Sequence, residues 1–384
     1  MPLSPFRVTI ADTVLDDLRR RLSNTRYTAA TAPDWAAGVD PAYLRELMDY
    51  WAQSFDWRAQ ERAINSYAHF IAQMAAERLH FVHVRGKAAP DGTVPMPLLL
   101  LHGWPSAFTE MYKLIPLLTD PTAHGGNSGD VFDVVVPSLP GVAFSPVPAM
   151  GALTRPRMAD LFAGLMTEEL GYARFGIYGG DIGADVSHWL ATQHPDRVVG
   201  LHLIHPRLPA AVLDQSELTS RERSYLADRD SEDENDGGYS HEQSTRPDTL
   251  AAALIDSPAG LAAWIVEKLR AWSDCAGNIE SRFSKDEMLT LLTLYWATGC
   301  IGTSFRSYFD YKHNPPRPNC DLPTGVTVSA EDAGHPRELA ERVYSDIRLW
   351  RQHGRGGHFF PMEQPQLLAQ DLRDFFSTLR RNPC

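Results

Sequence analysis

Apolar residues recur at helical spacing over the first part of the chain. The clearest set comprises Leu44, Leu47, Met48, Trp51 and Phe55. Steps of three and four residues place these side chains on one face of a helix. The pattern predicts a helical layer from residue 12 to about residue 78.

Near Leu79 the pattern changes to alternation of apolar and polar residues, which is typical of a strand. A turn predicted at residues 89–92 leads into the apolar run 95–101. Further strand-like runs lie at 132–136, 175–178, 198–204 and 325–328. Helical stretches separate most of them, and this alternation predicts a mostly parallel α/β sheet.

The strand pattern is interrupted between Pro206 and about Pro323. Here Ser257 followed by Pro258 predicts one helix start, and Ser284 with Glu287 forms a capping box for another. We therefore expect a helical insertion that acts as a lid over the sheet. The acidic stretch 228–236 within it is interpreted as a solvated loop. A final helix is expected around residues 367–376.

These patterns divide the chain into four regions. We expect an N-terminal helical region at residues 1–92, the first part of an α/β core at 93–206, the helical lid at 207–322 and the second part of the core at 323–384.

Charge and hydropathy exclude several classes of protein. The chain of 384 residues has a formal net charge of −12, which argues against nucleic-acid binding. Its apolar runs fall short of the roughly 20 residues that span a bilayer, and residues 1–18 lack the layout of a secretory signal. We expect a cytoplasmic protein that does not bind membranes. Its cysteines, Cys275, Cys300, Cys320 and Cys384, lack metal-type spacing and are expected to be reduced.

Residues 175–184 contain the most informative chemistry. A strand runs into small residues and then into a helix, which is the pattern of a nucleophile elbow, with Asp181 at the position of the nucleophile. Gly179 and Gly183 leave room for the sharp turn. Asp181 could instead serve only as a helix N-cap, and this segment alone leaves both interpretations open.

Two further segments favour catalysis. The sequence His102-Gly103-Trp104-Pro105 follows an apolar run and can direct the Trp104 N–H toward the elbow, although a simple strand-ending turn is the alternative. His358 lies in a glycine loop before the last helix, and Asp332 follows the strand-like run 325–328. The order nucleophile, acid, histidine is that of α/β-hydrolases.

Together these segments resemble the microsomal-type epoxide hydrolases, and the resemblance extends over nearly the whole chain. The matching segments include Pro33-Asp34-Trp35, Phe55-Asp56-Trp57-Arg58, His102-Gly103-Trp104-Pro105, Gly179-Gly180-Asp181-Ile182-Gly183, Leu294-Tyr295-Trp296 and Arg355-Gly356-Gly357-His358-Phe359. The resemblance implies an α/β-hydrolase fold with a mostly parallel central sheet, a helical lid insertion and an N-terminal helical extension. It also implies an enzyme that uses water to open a small-molecule epoxide, without cofactor or metal.

The resemblance assigns roles to individual residues. It implies that Asp181 is the nucleophile and His358 the base that activates water. Two lid tyrosines, Tyr239 and Tyr308, are expected to hold the epoxide oxygen. Tyr311 is the substitute for Tyr308 if the alignment is displaced.

The remaining roles concern the oxyanion and the relay acid. Backbone N–H groups of Trp104 and Ile182 are expected to form an oxyanion hole. Alignment from residues 323–325 favours Asp332 as the acid that orients His358, with the adjacent Glu331 as the alternative.

Two other functions compete with this interpretation. A hydrolytic dehalogenase also uses an aspartate nucleophile, but it often needs an indole N–H beside the nucleophile, which Ile182 lacks. A catalytically silent binding protein would lack part of the triad, whereas candidates for all three members are present. Some soluble relatives act in natural-product pathways such as enediyne antibiotic biosynthesis, so a secondary-metabolic role is one expectation. The oligomeric state stays open, and a homodimer is admissible.

Overall fold

One nine-stranded sheet organises the molecule. The computed structural model describes residues 3–74, 77–87, 92–209 and 215–380; most of the turn predicted at residues 89–92, together with Cys384, lies outside these ranges. Within them the strands are Ser4–Phe6 (β1), His69–Met74 (β2), Glu77–Val84 (β3), Met96–Leu101 (β4), Phe132–Pro137 (β5), Phe175–Gly179 (β6), Val198–Ile204 (β7), Thr324–Val328 (β8) and Ile347–Gln352 (β9).

The strand order across the sheet is β1-β2-β3-β5-β4-β6-β7-β8-β9. The pairs from β1 to β5 are antiparallel, whereas all pairs among β5, β4, β6, β7, β8 and β9 are parallel. The mostly parallel sheet predicted from the sequence is therefore confirmed. Its central strands are buried on both faces, which explains why they appear in the sequence as continuous apolar runs.

The N-terminal region is helical only as far as residue 64. It contains Asp12–Ser23 (α1), Pro41–Gln53 (α2) and Trp57–Ile64 (α3). The prediction of helix up to residue 78 is wrong, because the segment after α3 forms β2 and pairs antiparallel with β3. Burial along β2 does not alternate regularly between its faces, so its sequence lacks a clear two-residue period.

The other α-helices within the described ranges surround the sheet. They are Ile115–Thr119 (α4), Arg155–Gly164 (α5), Ile182–Gln193 (α6), Ser220–Asp236 (α7), Gly238–Thr245 (α8), Pro247–Leu254 (α9), Pro258–Ala271 (α10), Lys285–Thr298 (α11), Ile301–Ser304 (α12), Arg306–Phe309 (α13), Arg337–Glu341 (α14), Phe360–Glu363 (α15) and Pro365–Arg380 (α16). Short 3-10 segments are Trp35–Ala37, Phe108–Met111, Pro121–His124, Ser128–Asp130, Gln215–Glu217, Ile279–Ser281 and Tyr311–His313, and Leu165–Glu169 is a π-helical turn.

Helices α7 to α13 form the insertion between β7 and β8. The predicted cap of α10 is present, since the Ser257 hydroxyl accepts a hydrogen bond from Gly260 N, and the capping box at α11 is present as well. The loop predicted at residues 228–236 is wrong, because these residues form the exposed second half of α7. A capping box at Thr219 starts this helix, and its ladder of hydrogen bonds continues through the acidic residues.

The length and hydropathy of the helices bear on whether the chain could span a membrane. Taken singly, none of the described helices is long and apolar enough to cross a bilayer, and only two sharply bent pairs, α9 with α10 and α11 with the segment after it, pass the test of composition together.

Candidate active site

Asp181 occupies a strained turn between β6 and α6. Its φ is 51° and its ψ is −122°, a region that a side-chain-bearing residue rarely adopts and that is found at functional sites. Its side chain makes no capping hydrogen bond to α6. The structure therefore presents Asp181 as an elbow residue and not as a helix cap.

Three glycines allow the chain to pack tightly around this turn. A Cβ atom at Gly179 would lie 2.3 Å from Gly183 O, and one at Gly183 would lie 2.3 Å from Leu101 O. A Cβ at Gly103 would lie 2.3 Å from Oδ1 of Asp181. Only glycine fits at these three positions, so the strand, the helix and the 102–105 loop can meet at the carboxylate.

The 102–105 loop holds one oxygen of this carboxylate. The Trp104 N–H donates to Asp181 Oδ1 at 2.9 Å, and the Trp104–Pro105 peptide is cis. Within the described ranges Oδ2 has no recorded protein donor. Ile182 is the first residue of α6, and the first N–H groups of a helix have no intrahelical acceptor. The two carboxylate oxygens of Asp181 thus differ: Oδ1 accepts a hydrogen bond from the Trp104 N–H, and Oδ2 is available to contact a ligand.

Tyr239 of α8 and Tyr308 of α13 lie opposite Asp181. The ring of Trp104 stacks on Tyr239 with a centroid distance of 5.4 Å and contacts the edge of Tyr308 at 5.9 Å. Burial, together with the Asp181 charge, raises the pKa of both tyrosines well above 10. Both phenols therefore stay protonated and can donate. Tyr311 is 47% exposed, and its ring faces the guanidinium of Arg155.

His358 lines the same cavities as Asp181. Its backbone N–H donates to Trp272 O at 2.7 Å, and its ring stacks on that of His205 with a centroid distance of 4.7 Å. Burial lowers the pKa of His358, while the Asp181 charge acts in the opposite direction. The imidazole is therefore neutral near pH 7, as a base requires.

The two acid candidates have different surroundings. Asp332 Oδ1 accepts a hydrogen bond of 2.7 Å from the Tyr225 hydroxyl, whereas a carboxylate oxygen of Glu331 lies within 4.8 Å of a ring nitrogen of His358. Asp332 N donates to Ser329 O in the turn after β8, and in this turn the adjacent side chains of Glu331 and Asp332 point to different partners. The structure thus favours Glu331, the alternative, over Asp332, because the Asp332 carboxylate is directed to Tyr225.

Burial strongly affects Glu331. Its side chain is exposed to the solvent of the cavity, but the surrounding protein partly desolvates it and, with the charges of Glu363 and Asp332, raises its pKa to about 8. Glu331 therefore gains its negative charge only at mildly alkaline pH.

The sequence analysis missed His205. This residue directly follows β7 and has a φ of 61°, and its buried Nδ1 has no hydrogen-bond partner in the part of the chain that the structure describes. Parallel sheets place their sites at the carboxyl ends of strands, and that position was the available signal.

One group of residues near the nucleophile has the donors of a metal site. Potential ligand atoms of His205, Glu331 and His358 lie within 4.8 Å of one another, and two imidazoles with a carboxylate are a donor set that zinc accepts. A metal held there would occupy His358, so it would compete with the use of this ring as a base.

Two cavities meet at these residues. Their volumes are about 690 and 520 Å³, and both are lined by Asp181, Glu331 and His358. The smaller one includes Tyr239. A small organic molecule can therefore reach Asp181, His358 and Tyr239 together.

Comparisons with known proteins agree on one group of relatives. Residues 3–111 match the family described as "Epoxide hydrolase N terminus", and residues 96–231 match the family described as "alpha/beta hydrolase fold".

Similar proteins cover nearly the whole chain. The "Putative epoxide hydrolase" of Stigmatella aurantiaca is 40% identical over 98% of this chain and 86% of its own length. Epoxide hydrolase 1 of Sus scrofa is 35% identical over 99% of this chain and 89% of its own length. The crystal structure of juvenile hormone epoxide hydrolase from Bombyx mori has a TM-score of 0.89 at 27% identity, covering 99% of this chain and 95% of its own.

Proposed function

Because the chain belongs to the epoxide hydrolase family and has the α/β-hydrolase fold, we propose that it converts an epoxide to a vicinal diol through a covalent ester on Asp181. The enzyme class and fold expected from the sequence are confirmed. The observation that carries the mechanism is the hydrogen bond from Trp104 N–H to Asp181 Oδ1, with two protonated phenols facing the same carboxylate.

In the first step, Oδ2 of Asp181 attacks one carbon of the epoxide. A new C–O ester bond forms while the bond from that carbon to the epoxide oxygen breaks. Tyr239 and Tyr308 donate hydrogen bonds to the departing oxygen, and one of them supplies its proton. Backside attack needs an ionised carboxylate, and the leaving alkoxide needs donors, so these residue types suit the step.

In the second step, His358 takes a proton from water and the resulting hydroxide attacks Cγ of the ester. Negative charge develops on Oδ1, where the Trp104 N–H already lies at hydrogen-bond distance. The Ile182 N–H is the second proposed donor. Each such donor contributes about 3–4 kcal/mol in comparable sites. Collapse of the intermediate breaks the Cγ–Oδ2 bond, and His358 returns its proton to the diol oxygen. The Asp181 carboxyl group, which now carries the oxygen from water, loses its remaining proton, and this proton restores the tyrosine that was deprotonated in the first step.

Glu331 is the acid that we propose for His358. Its carboxylate is near the ring, whereas Asp332 is hydrogen-bonded to Tyr225. An ionised carboxylate there would stabilise the imidazolium that forms as water is activated.

The dehalogenase alternative has less support. Ile182 brings no indole to the elbow, and Nε1 of Trp104 donates to the Ser304 hydroxyl at 3.2 Å, so this indole N–H is already engaged. A pathway role in secondary metabolism, a homodimeric state and a cytoplasmic location stay predictions from the sequence.

The decisive experiment is a single turnover of racemic styrene oxide in ¹⁸O-labelled water. Wild type is expected to give diol whose new oxygen is unlabelled, because that oxygen comes from Asp181. Asp181→Ala should give no diol, whereas Asp248→Ala, the same change on the exposed surface of α9, should behave as wild type. Labelled diol in the first turnover would contradict the ester mechanism. Halide release from alkyl halides without diol formation would favour the dehalogenase.

A further inference from the structure

The larger cavity extends away from the nucleophile along α6. Asp181, Asp185 and Trp189 all line it, and residues four apart lie on one face of a helix. Four residues of α-helix rise by about 6 Å. The cavity therefore has an arm that begins at the nucleophile and continues past Asp185.

Asp185 is surrounded by cations in this arm. It is only 2% exposed. Three arginines approach its carboxylate, with Nε of Arg155 at 3.2 Å, Nη1 of Arg317 at 3.0 Å and Nε of Arg207 at 3.9 Å. Burial opposes its ionisation, but these arginines lower the pKa of Asp185. One negative charge thus faces three positive charges.

Two of the three arginines donate hydrogen bonds both to Asp185 and to a backbone carbonyl, although Nε of Arg317 has no partner among the described residues. Arg155 also donates from Nη1 to Ser307 O at 3.2 Å, and Arg317 also donates to Leu208 O. Together they hold both oxygens of Asp185, since each donates a hydrogen bond to a different carboxylate oxygen. Neutralising Asp185 therefore does not require a third cation.

Arg207 is the third cation, and among the described residues its guanidinium makes an ion pair with Asp185 at 3.9 Å but donates no hydrogen bond. Its buried Nε likewise has no hydrogen-bond acceptor in this part of the chain. The side chain lines the cavity. A buried donor without an acceptor costs free energy. A ligand oxygen that accepts from this guanidinium would remove that cost.

Charges in the cavity are distributed unevenly. Lys312 and Arg317 line the arm together with Arg207, whereas Glu331 and Asp332, from the loop after β8, line the cavity with His358 and the cation Arg229. The cations that line the arm outnumber the carboxylate of Asp185, so an anion is attracted there. This arrangement gives a charged substrate one favourable orientation.

We propose that the arm binds an oxyanion of the substrate, so that the natural epoxide carries a carboxylate, or a group of the same chemistry, held by Arg207 about one helix turn from the epoxide ring. The proposal rests on the proposed epoxide hydrolysis and names its substrate class. A carboxylate suits Arg207 because a guanidinium can donate two parallel hydrogen bonds to it.

The test uses a matched pair of neutral and charged substrates. Styrene oxide with a para carboxylate places the anion across one benzene ring from the epoxide, and its methyl ester has the same shape without the charge. Wild type is expected to show a ratio of kcat/KM, acid over ester, of about 10 to 100, with the difference mainly in KM. In Arg207→Gln this ratio should fall to about 1, whereas Arg207→Lys should keep part of it.

Arg246→Gln is the matched control, because Arg246 is exposed and its guanidinium donates to the adjacent Thr245 O, away from the cavity residues; it should keep the wild-type ratio. Thermal melting establishes that each variant is folded. A wild-type ratio near 1, or one that survives Arg207→Gln in a folded protein, would overturn the proposal and leave epoxide hydrolysis intact. If wild type turns over neither substrate nor styrene oxide, the proposed function itself fails.

Discussion

The two oxygens of Asp181 have different surroundings, and that difference orders the two proposed chemical steps. Oδ1 is held at 2.9 Å by the Trp104 N–H, so it is already placed where the negative charge of ester hydrolysis develops. Oδ2 is left for attack on the epoxide. A single backbone contact thus prepares the nucleophile for the first step and the oxyanion site for the second.

The tyrosine donors are open to direct test. Tyr239→Phe and Tyr308→Phe should each slow ester formation by about 10²-fold or more, because each removes one donor to the departing oxygen. Rapid mixing with styrene oxide under single-turnover conditions measures this step. Tyr311→Phe should have far less effect, and a loss in Tyr311→Phe equal to that in Tyr308→Phe would mean that the assignment is displaced.

The relay acid can be identified by two conservative substitutions. Glu331→Gln should lower the rate of ester hydrolysis by about 10²- to 10⁴-fold, because the imidazolium loses its charge partner. Asp332→Asn should have a smaller effect, since that carboxylate accepts from Tyr225. Trapped ester, detected by mass spectrometry, measures the accumulation. The reverse order of effects would restore Asp332 as the relay.

The pH dependence of ester hydrolysis follows from the same pair. His358 acts as a base when neutral, and burial lowers its pKa below 6.5, so the rate should fall only in acid. The pKa of Glu331 is raised to about 8, so its charge appears above that pH. The rate of wild type should therefore rise again through about pH 8.

Glu331→Gln should lack this second rise, and kcat measured from pH 5 to 10 provides the comparison. No alkaline loss is expected below pH 10, because the pKa values of both tyrosines lie above it. A wild-type profile that is flat from pH 7 to 9 would argue against Glu331.

At the scale of elements, the glycines at the elbow set how closely β4, β6 and α6 approach. In Gly183→Ala the added Cβ would meet the backbone oxygen of Leu101, which cannot rotate away as a side chain would. We expect a loss of about 1–3 kcal/mol in the free energy of unfolding, together with reduced activity. Gly129→Ala, where no atom lies within 4 Å, should unfold like wild type in urea. Equal stability of the two variants would contradict the tight packing.

The sequence predicted those elements that carry a strong local signal. The central strands and the capped helices α10 and α11 carry local signals, namely continuous apolar runs and Ser caps. Strands β1, β2 and β9 lack such signals, because β1 has three residues and β9 is an edge strand with only partial burial. Their pairing depends on neighbours distant in sequence.

The candidate site was predictable to a similar degree. Asp181, Trp104 and His358 lie in motifs whose local geometry requires glycine, so the sequence points to them directly. The choice between Glu331 and Asp332 depends on one turn of backbone, and the arm around Arg207 depends on three separate segments. Neither the relay acid nor this arm produces a recognisable local pattern in the sequence.

At the scale of the whole molecule, some groups near the site reduce stability. Glu110 is 6% exposed, and burial raises its pKa to about 7. A raised pKa means that the folded state prefers the protonated acid, so its contribution to stability is complete below the unfolded pKa and is lost as pH rises through about 7. Ionisation of Glu110 therefore destabilises the folded protein under alkaline conditions.

Glu110→Gln should consequently be more stable than wild type at pH 8, by about 1–3 kcal/mol, and should show little gain at pH 5. Urea unfolding at the two pH values measures the difference. A gain that is the same at both would show that the effect does not come from ionisation.

The hydrogen bond between Trp104 N–H and Asp181 Oδ1 also determines which oxygen of this carboxylate is exchanged with water. In the proposed mechanism each turnover releases Oδ2 into the diol and replaces it with an oxygen from water, whereas Oδ1 stays as long as the carboxylate does not rotate. After many cycles in ¹⁸O-labelled water, the peptide that contains Asp181 should carry one heavy oxygen and not two. One oxygen atom of Asp181 would then be replaced in every cycle, whereas the other would remain the atom incorporated when the chain was synthesised.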